Sequence, residues 1–128
     1  MQGELPATYV EGFHNLESVR KMPYRKLGET GLLVSSLGFG ASALGGVFHD
    51  ITEDECIRVV RTALVAGVNI IDTAPWYGNG KSEEMLGKAL SGIPRQAYYL
   101  FTKVGRYEPD VERMFDFTAD RVTRSVEE

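Results

Sequence analysis

The sequence predicts an α/β fold in which parallel strands alternate with helices. Three apolar runs, at residues 37–41, 68–72 and 98–104, are each short enough for a buried strand, and a helical pattern follows each of them. Alternation of this kind is typical of parallel strands joined by right-handed crossovers. Both an open doubly wound sheet and a closed eight-stranded barrel fit the pattern.

The composition argues against several kinds of partner. The chain has 128 residues, of which 43% are hydrophobic, and its 14 basic and 18 acidic side chains give a net charge of -4. No broad positive field is present to attract nucleic acid or anionic lipid. The N-terminal segment has neither a basic leader followed by an apolar run nor a stretch that could span a bilayer, so we expect a cytoplasmic protein.

Two regions are expected, an N-terminal arm over residues 1–22 that is partly disordered and a domain over residues 23–128. The domain opens with two short runs joined by the turn 28–31, which predict a β-hairpin. The strand at 37–41 then leads through a loop of small residues, 42–46, towards the first helix of the domain.

Helix signals are clear in the middle of the chain. Thr52 and Glu55 form a capping box before an amphipathic run that Gly67 ends, and Cys56 lies among its apolar positions, where we expect a buried thiol. Ser82 is the predicted cap of a second helix, which Gly92 ends.

The last predicted helix, over residues 118–128, brings Asp120 within reach of Arg124. No glycine cap or other stop signal ends this pattern before the last residue. We therefore expect the fold to be truncated before its next strand.

Three polar side chains follow the second and third strands at their carboxyl ends. Asp72 ends one strand, Tyr77 lies in the loop after it, and Lys103 lies near the end of the next strand. Because loops at the carboxyl ends of parallel strands share one rim and adjacent strands are about 4.8 Å apart, these side chains can meet. An ammonium beside a tyrosine favours loss of the phenolic proton, which suits acid–base chemistry. From spacing alone, a solvated aspartate, a core tyrosine and an unrelated lysine fit as well.

Other candidate sites are weaker. Residues 38–43 match the glycine pattern of a dinucleotide-binding loop, but the next helix begins too late for a Rossmann fold, and the glycines favour close approach of a ligand instead. His14 and His49 are expected to be solvated, and with one cysteine they offer no metal-site spacing. Trp76 either stacks on a substrate or anchors its loop.

The runs YRKLGETGLLVSSLGFG, NIIDTAPWYGNGKSEEMLGKAL and YYLFTKVG give the sequence a clear family likeness. From about Tyr24 to its end, the chain resembles the aldo-keto reductase superfamily. The resemblance implies the N-terminal portion of a (β/α)8 barrel whose base is closed by the hairpin, truncated after about three β-α units. It also implies that NADP(H), or NAD in its place, binds without a Rossmann fold.

The resemblance also implies roles for single residues. Asp72, Tyr77 and Lys103 match the family's catalytic aspartate, general-acid tyrosine and lysine. Gly40, Ala41 and Ser42 match residues that line the cofactor side of the pocket, with Asp72 beside them, and Trp76 is the candidate substrate contact. The implied reaction interconverts a small carbonyl compound or sugar and its alcohol by hydride transfer.

The sequence departs from the family's pattern in what it lacks. The family's catalytic histidine, at the end of the fourth strand, and most groups that hold the 2'-phosphate have no counterpart here, so we expect the chain alone to be inactive. Within the superfamily, the rim loop and the arm are similar to those of dehydrogenases acting on galactose or arabinose. A nucleotide-sensing subunit like the potassium-channel β subunit, or a truncated product without function, is the alternative.

Overall fold

The computed structural model describes residues 3–128 as a β-hairpin, a parallel sheet and four helices. Two short 3-10 turns, Ser42–Gly45 and Arg95–Ala97, connect some of these elements. In chain order the elements are α1 (Leu16–Lys21), β1 (Tyr24–Lys26), β2 (Leu33–Ser35), β3 (Phe39–Gly40), α2 (Glu53–Val65), β4 (Ile70–Asp72), α3 (Lys81–Leu90), β5 (Tyr99–Phe101) and α4 (Ala119–Glu127).

The sheet has three parallel strands in the order β3-β4-β5, which confirms the predicted α/β architecture. Its register pairs Gly40 with Asp72 and Asp72 with Phe101. The carboxyl ends of all three strands therefore lie side by side, and the loops that follow them leave from one rim. Within residues 3–128 the sheet does not close into a barrel.

Helix α2 forms as its sequence predicts. The Thr52 hydroxyl accepts a hydrogen bond from the Glu55 backbone N–H, and the Glu55 carboxylate accepts one from the Thr52 backbone N–H. After the helix, Gly67 takes a left-handed φ of 104° that other residues rarely adopt. Cys56 is fully buried, as expected, and packs in a core built mainly from α2, α3 and the sheet.

The start of α3 differs from the prediction. Gly80, not Ser82, occupies the cap position, with φ 91°, and Ser82 lies fully buried inside the first turn. Its hydroxyl donates to the Ala41 carbonyl at 2.7 Å and lies 2.8 Å from the Thr73 hydroxyl. Because these buried partners compete with the free N–H groups of the helix end, the tertiary contact overrides the local capping preference.

The described part of the N-terminal arm is folded onto the domain, while the partial disorder that we expected of the arm stays a prediction. Thr8 and Val19 are each 2% exposed, and Asn15 caps α1 by accepting from the Ser18 N–H. The buried Asn69 amide, just before β4, donates to the Thr8 hydroxyl at 3.0 Å. The boundary between arm and domain at residues 22 and 23 stays a prediction.

The predicted hairpin forms from β1 and β2, which pair antiparallel from Tyr24 with Ser35 to Lys26 with Leu33. The Tyr24 hydroxyl donates to the Gly67 carbonyl at 2.7 Å, and burial raises the pKa of Tyr24 to about 12. Because Gly67 precedes β4, the hairpin lies at the amino-terminal end of the sheet, opposite the rim.

The last helix, α4, is capped by Thr118, and none of its residues is buried. The expected pair of Asp120 with Arg124 does not form among the described residues; Arg121 and Arg124 instead lie 3.6 and 3.5 Å from the Glu128 carboxylate. The Glu128 side chain competes with Asp120 for the guanidinium groups, and the spacing of residues within the helix does not predict this competition. None of the helices within residues 3–128 is long and apolar enough to cross a membrane. The cytoplasmic location stays a prediction.

Candidate active site

Two neighbouring strands bring a carboxylate and an ammonium together at the rim. Asp72 is the last residue of β4, and Lys103 follows the end of β5 by two residues. The Lys103 Nζ donates to Asp72 Oδ2 at 2.8 Å and to the Thr73 carbonyl at 2.9 Å. Both side chains are about half exposed, so the pair faces solvent at the mouth of the sheet. The predicted meeting of these two groups is thus present in the structure.

Tyr77 lies beside this pair. The Lys103 Nζ is 5.2 Å from the centroid of the Tyr77 ring, within the range of a cation–π contact. The loop that carries Tyr77 is held by its own backbone, since the Tyr77 N–H donates to the Ala74 carbonyl and the Ser82 N–H donates to the Tyr77 carbonyl. The structure therefore places the carboxylate, the ammonium and the phenol in one cluster.

The charge of Lys103 is stabilised within this cluster. The hydrogen bond to Asp72 is the main cause that raises the pKa of Lys103 above its usual value. Partial burial opposes it, while the negative charge of Asp72 and the neighbouring Tyr77 add to it. Lys103 is therefore an ammonium throughout the physiological range, and it can stabilise negative charge on a neighbouring oxygen.

The end of β3 leaves open space beside Asp72. Gly40 is exposed, and a Cβ at this position would meet nothing within 4 Å. Ser42 is half-buried at the start of the next turn. The open glycine surface beside the Asp72–Lys103 pair leaves room for close approach of a ligand, and contact of Gly40 and Ser42 with the cofactor stays a prediction.

Ala41 directly follows β3, and its expected contact with the cofactor stays a prediction. Its side chain is fully buried in the core. Its N–H donates to the Asp72 carbonyl at 2.9 Å, and its carbonyl accepts from the Ser82 hydroxyl at 2.7 Å. The backbone of Ala41 thus links the end of β4 to the first turn of α3, and both of its polar groups are engaged within the protein.

Trp76 is partly covered by another side chain of the rim. The Arg106 guanidinium lies 3.6 Å from the centroid of its ring and also approaches Phe115 at 5.6 Å. This stacking ties the loop after β4 to the loop after β5, as expected of a loop anchor. Contact between Trp76 and a substrate stays a prediction.

The two histidines differ in their surroundings. His49 is exposed, as expected, whereas His14 is half-buried and its Nδ1 accepts from the Val10 N–H at 2.9 Å. Burial lowers the pKa of His14, and a hydrogen bond to the Val10 backbone opposes that effect in part. His14 therefore helps to shape the arm. Among residues 3–128, no group of three His, Cys, Asp or Glu side chains could hold a metal ion.

Two features that build the rim have no direct signal in the sequence. The buried hydroxyls of Thr73 and Ser82 bond each other and link β4 to α3. Gly45 and Gly78 bring the loops after β3 and β4 into backbone contact. Their only trace in the sequence is small residues in two loops, which by themselves do not reveal that the loops touch.

A parallel α/β sheet with polar groups gathered at its carboxyl rim is typical of α/β enzymes, which bind their ligands at that rim. The model described as the aldo/keto reductase family matches residues 36–128. The chain belongs to the aldo/keto reductase family.

The chain is also similar to individual proteins of this family. It is 48% identical over 110 residues to L-galactose dehydrogenase of Arabidopsis thaliana, covering 84% of this chain and 33% of that protein. An aldo-keto reductase of Bacillus halodurans, solved in its holo form, superposes with a TM-score of 0.69 at 37% identity, covering 83% of this chain and 34% of its own. One from Klebsiella pneumoniae, solved with NADPH, gives 0.53 at 25% identity, with coverage of 75% and 32%. The chain thus spans about a third of the length of these relatives.

Proposed function

We propose that this chain supplies the first part of a barrel enzyme that interconverts a carbonyl compound and its alcohol with NADP(H). The observation that carries the proposal is the contact of Lys103 Nζ with Asp72 Oδ2 at 2.8 Å beneath the ring of Tyr77. An acid, a cation and a fixed carboxylate at one rim are what reduction of a carbonyl group requires.

Each residue of the cluster has a separate task in this proposal. When bound, NADPH supplies the hydride that reduces the carbonyl carbon. The Tyr77 hydroxyl donates its proton to the carbonyl oxygen as that oxygen gains negative charge. Lys103 stabilises the phenolate that remains, and Asp72 keeps the ammonium charged and in place. In the direction of alcohol oxidation, the Tyr77 phenolate accepts the proton.

Sugars are the first substrates to test. The relative named L-galactose dehydrogenase matches most of this chain. The open space above Gly40 and the polar rim suit a small hydroxylated carbonyl compound. The preference for NADP(H) over NAD(H) is part of the proposal, and measuring turnover with each cofactor decides it.

The decisive experiment compares the full-length protein with its Tyr77→Phe variant. We expect wild type to reduce an aldehyde or aldose with NADPH, and we expect Tyr77→Phe to lower kcat by about 100-fold or more because the proton donor is lost. Tyr99→Phe is the matched control, since Tyr99 begins β5 at the end of the sheet opposite the rim. It should retain the activity of wild type.

The same measurements separate this proposal from the alternative of a nucleotide-sensing subunit. Binding of NADPH without turnover, in wild type and in Tyr77→Phe alike, would contradict the enzymatic proposal and favour sensing. Turnover that survives Tyr77→Phe undiminished would show that the protein is an enzyme with a different proton donor.

A further inference from the structure

The loops after β3 and β4 touch through two glycines. A Cβ built on Gly45 would lie 2.6 Å from the Tyr77 carbonyl oxygen and 2.7 Å from the Tyr77 carbonyl carbon. A Cβ on Gly78 would in turn collide with the Gly45 carbonyl oxygen. Carbon atoms normally approach no closer than about 3.5 Å, so neither position has room for a side chain.

At Gly45 the restriction comes from this contact alone. Gly78 has a left-handed φ of 65°, whereas Gly45 is not among the residues of positive φ. An alanine at position 45 could therefore adopt the backbone conformation, and the main chain of Tyr77 and the adjoining Gly78 nitrogen exclude its methyl group. Gly45 is also buried, so an added methyl group cannot lie in solvent.

The Tyr77 carbonyl is held from its other side as well. The Ser82 N–H donates to it at 3.1 Å, while the Ser82 hydroxyl donates to the Ala41 carbonyl just before the turn that carries Gly45. The main chain of Tyr77 thus lies between the Gly45 turn and the first turn of α3. Any added volume at position 45 must move Tyr77 or break these bonds.

We propose that Gly45 is a positioning residue for the reaction, which sets the place of the Tyr77 hydroxyl above Lys103 through its contact with the Tyr77 backbone. This inference rests on the proposed function. The turn after β3 thereby has a role in proton transfer, in addition to the expected contact of Ser42 with the cofactor.

The test is Gly45→Ala in the full-length protein. A displacement of about 1 Å in a reacting group can lower the rate 100-fold, so we expect kcat to fall by about 10- to 100-fold. The KM for the carbonyl substrate should stay within about 3-fold, because the substrate's own binding groups are unchanged. Gly87→Ala is the matched control, since Gly87 is exposed on α3 with nothing within 4 Å of an added Cβ, and it should leave kcat unchanged.

A double-mutant cycle with Tyr77→Phe separates positioning from a general loss of structure. If Gly45 acts through the Tyr77 hydroxyl, adding Gly45→Ala to Tyr77→Phe should lower kcat by less than about 2-fold further. Losses that multiply, or a Gly45→Ala variant with the kcat of wild type, would overturn the inference. Tyr77→Phe with undiminished kcat would instead refute the role of proton donor that the proposed function gives to Tyr77.

If Gly45→Ala does not fold, Ser82→Ala tests whether the Gly45 turn positions Tyr77. It removes the hydroxyl that links α3 to the Gly45 turn without adding volume. We expect a smaller loss in kcat, about 3- to 10-fold, that also disappears in the Tyr77→Phe background. A Ser82→Ala loss that is fully additive with Tyr77→Phe would overturn the inference.

Discussion

Lys103 holds its place through two acceptors, the Asp72 carboxylate and the Thr73 carbonyl. Because both members of the ion pair are about half exposed, solvent screens their attraction and the pair adds less than about 1 kcal/mol to stability. Its effect lies in the charge and direction of the ammonium beneath Tyr77. The effect of the ion pair is therefore best measured as a change in the pKa of Lys103.

Asp72→Asn should lower the pKa of Lys103, since the hydrogen bond to Asp72 is the main cause that raises it. Side-chain NMR titration of the full-length protein measures this directly. Lys88, whose pKa is raised mainly by Glu53, is an internal control that should not move. An unchanged Lys103 titration in Asp72→Asn would contradict the assignment.

The sign of the associated pH effect follows from the direction of that shift. The pKa of Lys103 in the folded protein lies above its ordinary value of 10.5. The small stabilisation from the pair is thus fully present below that ordinary value and is lost as pH rises through the raised pKa. At neutral pH it is complete.

Among the elements, Asn69 joins the arm, the hairpin and the sheet. This side chain is 1% exposed, and its carbonyl oxygen accepts from the Ser35 N–H at 2.7 Å. Its amide donates to the Thr8 hydroxyl and to the Leu33 carbonyl, each at 3.0 Å. One buried residue therefore satisfies polar groups from two other segments, the arm and the hairpin.

Asn69→Ala should reduce the free energy of unfolding by about 2–4 kcal/mol, because each buried polar group left without a partner costs about 1–3 kcal/mol. Denaturant unfolding of the full-length protein gives the value. Gln96→Ala is the control: Gln96 also ties down the arm, through the Ala7 carbonyl at 2.7 Å, but it is exposed. A loss of less than about 1 kcal/mol is expected there, and an equal loss in both variants would contradict the role given to Asn69.

For the whole molecule, the sheet of three strands is open in the described residues. Apolar side chains remain exposed beside it, with Leu37 at 63% and Leu100 at 41%. Exposed edges and uncovered apolar surface lower the stability of a small domain and favour association with other chains. We therefore expect the 128-residue chain to fold poorly by itself.

The isolated 128-residue chain should show no Tyr77-dependent oxidation of NADPH. Circular dichroism and thermal unfolding of the same sample should show at most a weakly cooperative transition. The full-length protein under identical conditions is the control. A cooperative transition together with turnover that Tyr77→Phe abolishes would refute this expectation.

The sequence predicted the elements better than their ends. The capping box at Thr52 is a local interaction, and it formed as predicted. The expected cap at Ser82 was wrong because two buried groups from other segments, the Ala41 carbonyl and the Thr73 hydroxyl, bond its hydroxyl. The contacts of the arm could not be predicted for the same reason, since Asn69, the partner of Thr8, lies far away along the chain.

Sequence alone determined the alternation of strands and helices, the rim at which the strands end, and the residue types that gather there. These follow from local periodicity and from the common direction of parallel strands. Tertiary structure alone decided that Lys103 bonds Asp72, that Ala41 is buried, and that Gly45 touches the Tyr77 backbone. Such contacts join residues tens of positions apart, and their geometry depends on how the layers pack, which no local pattern encodes.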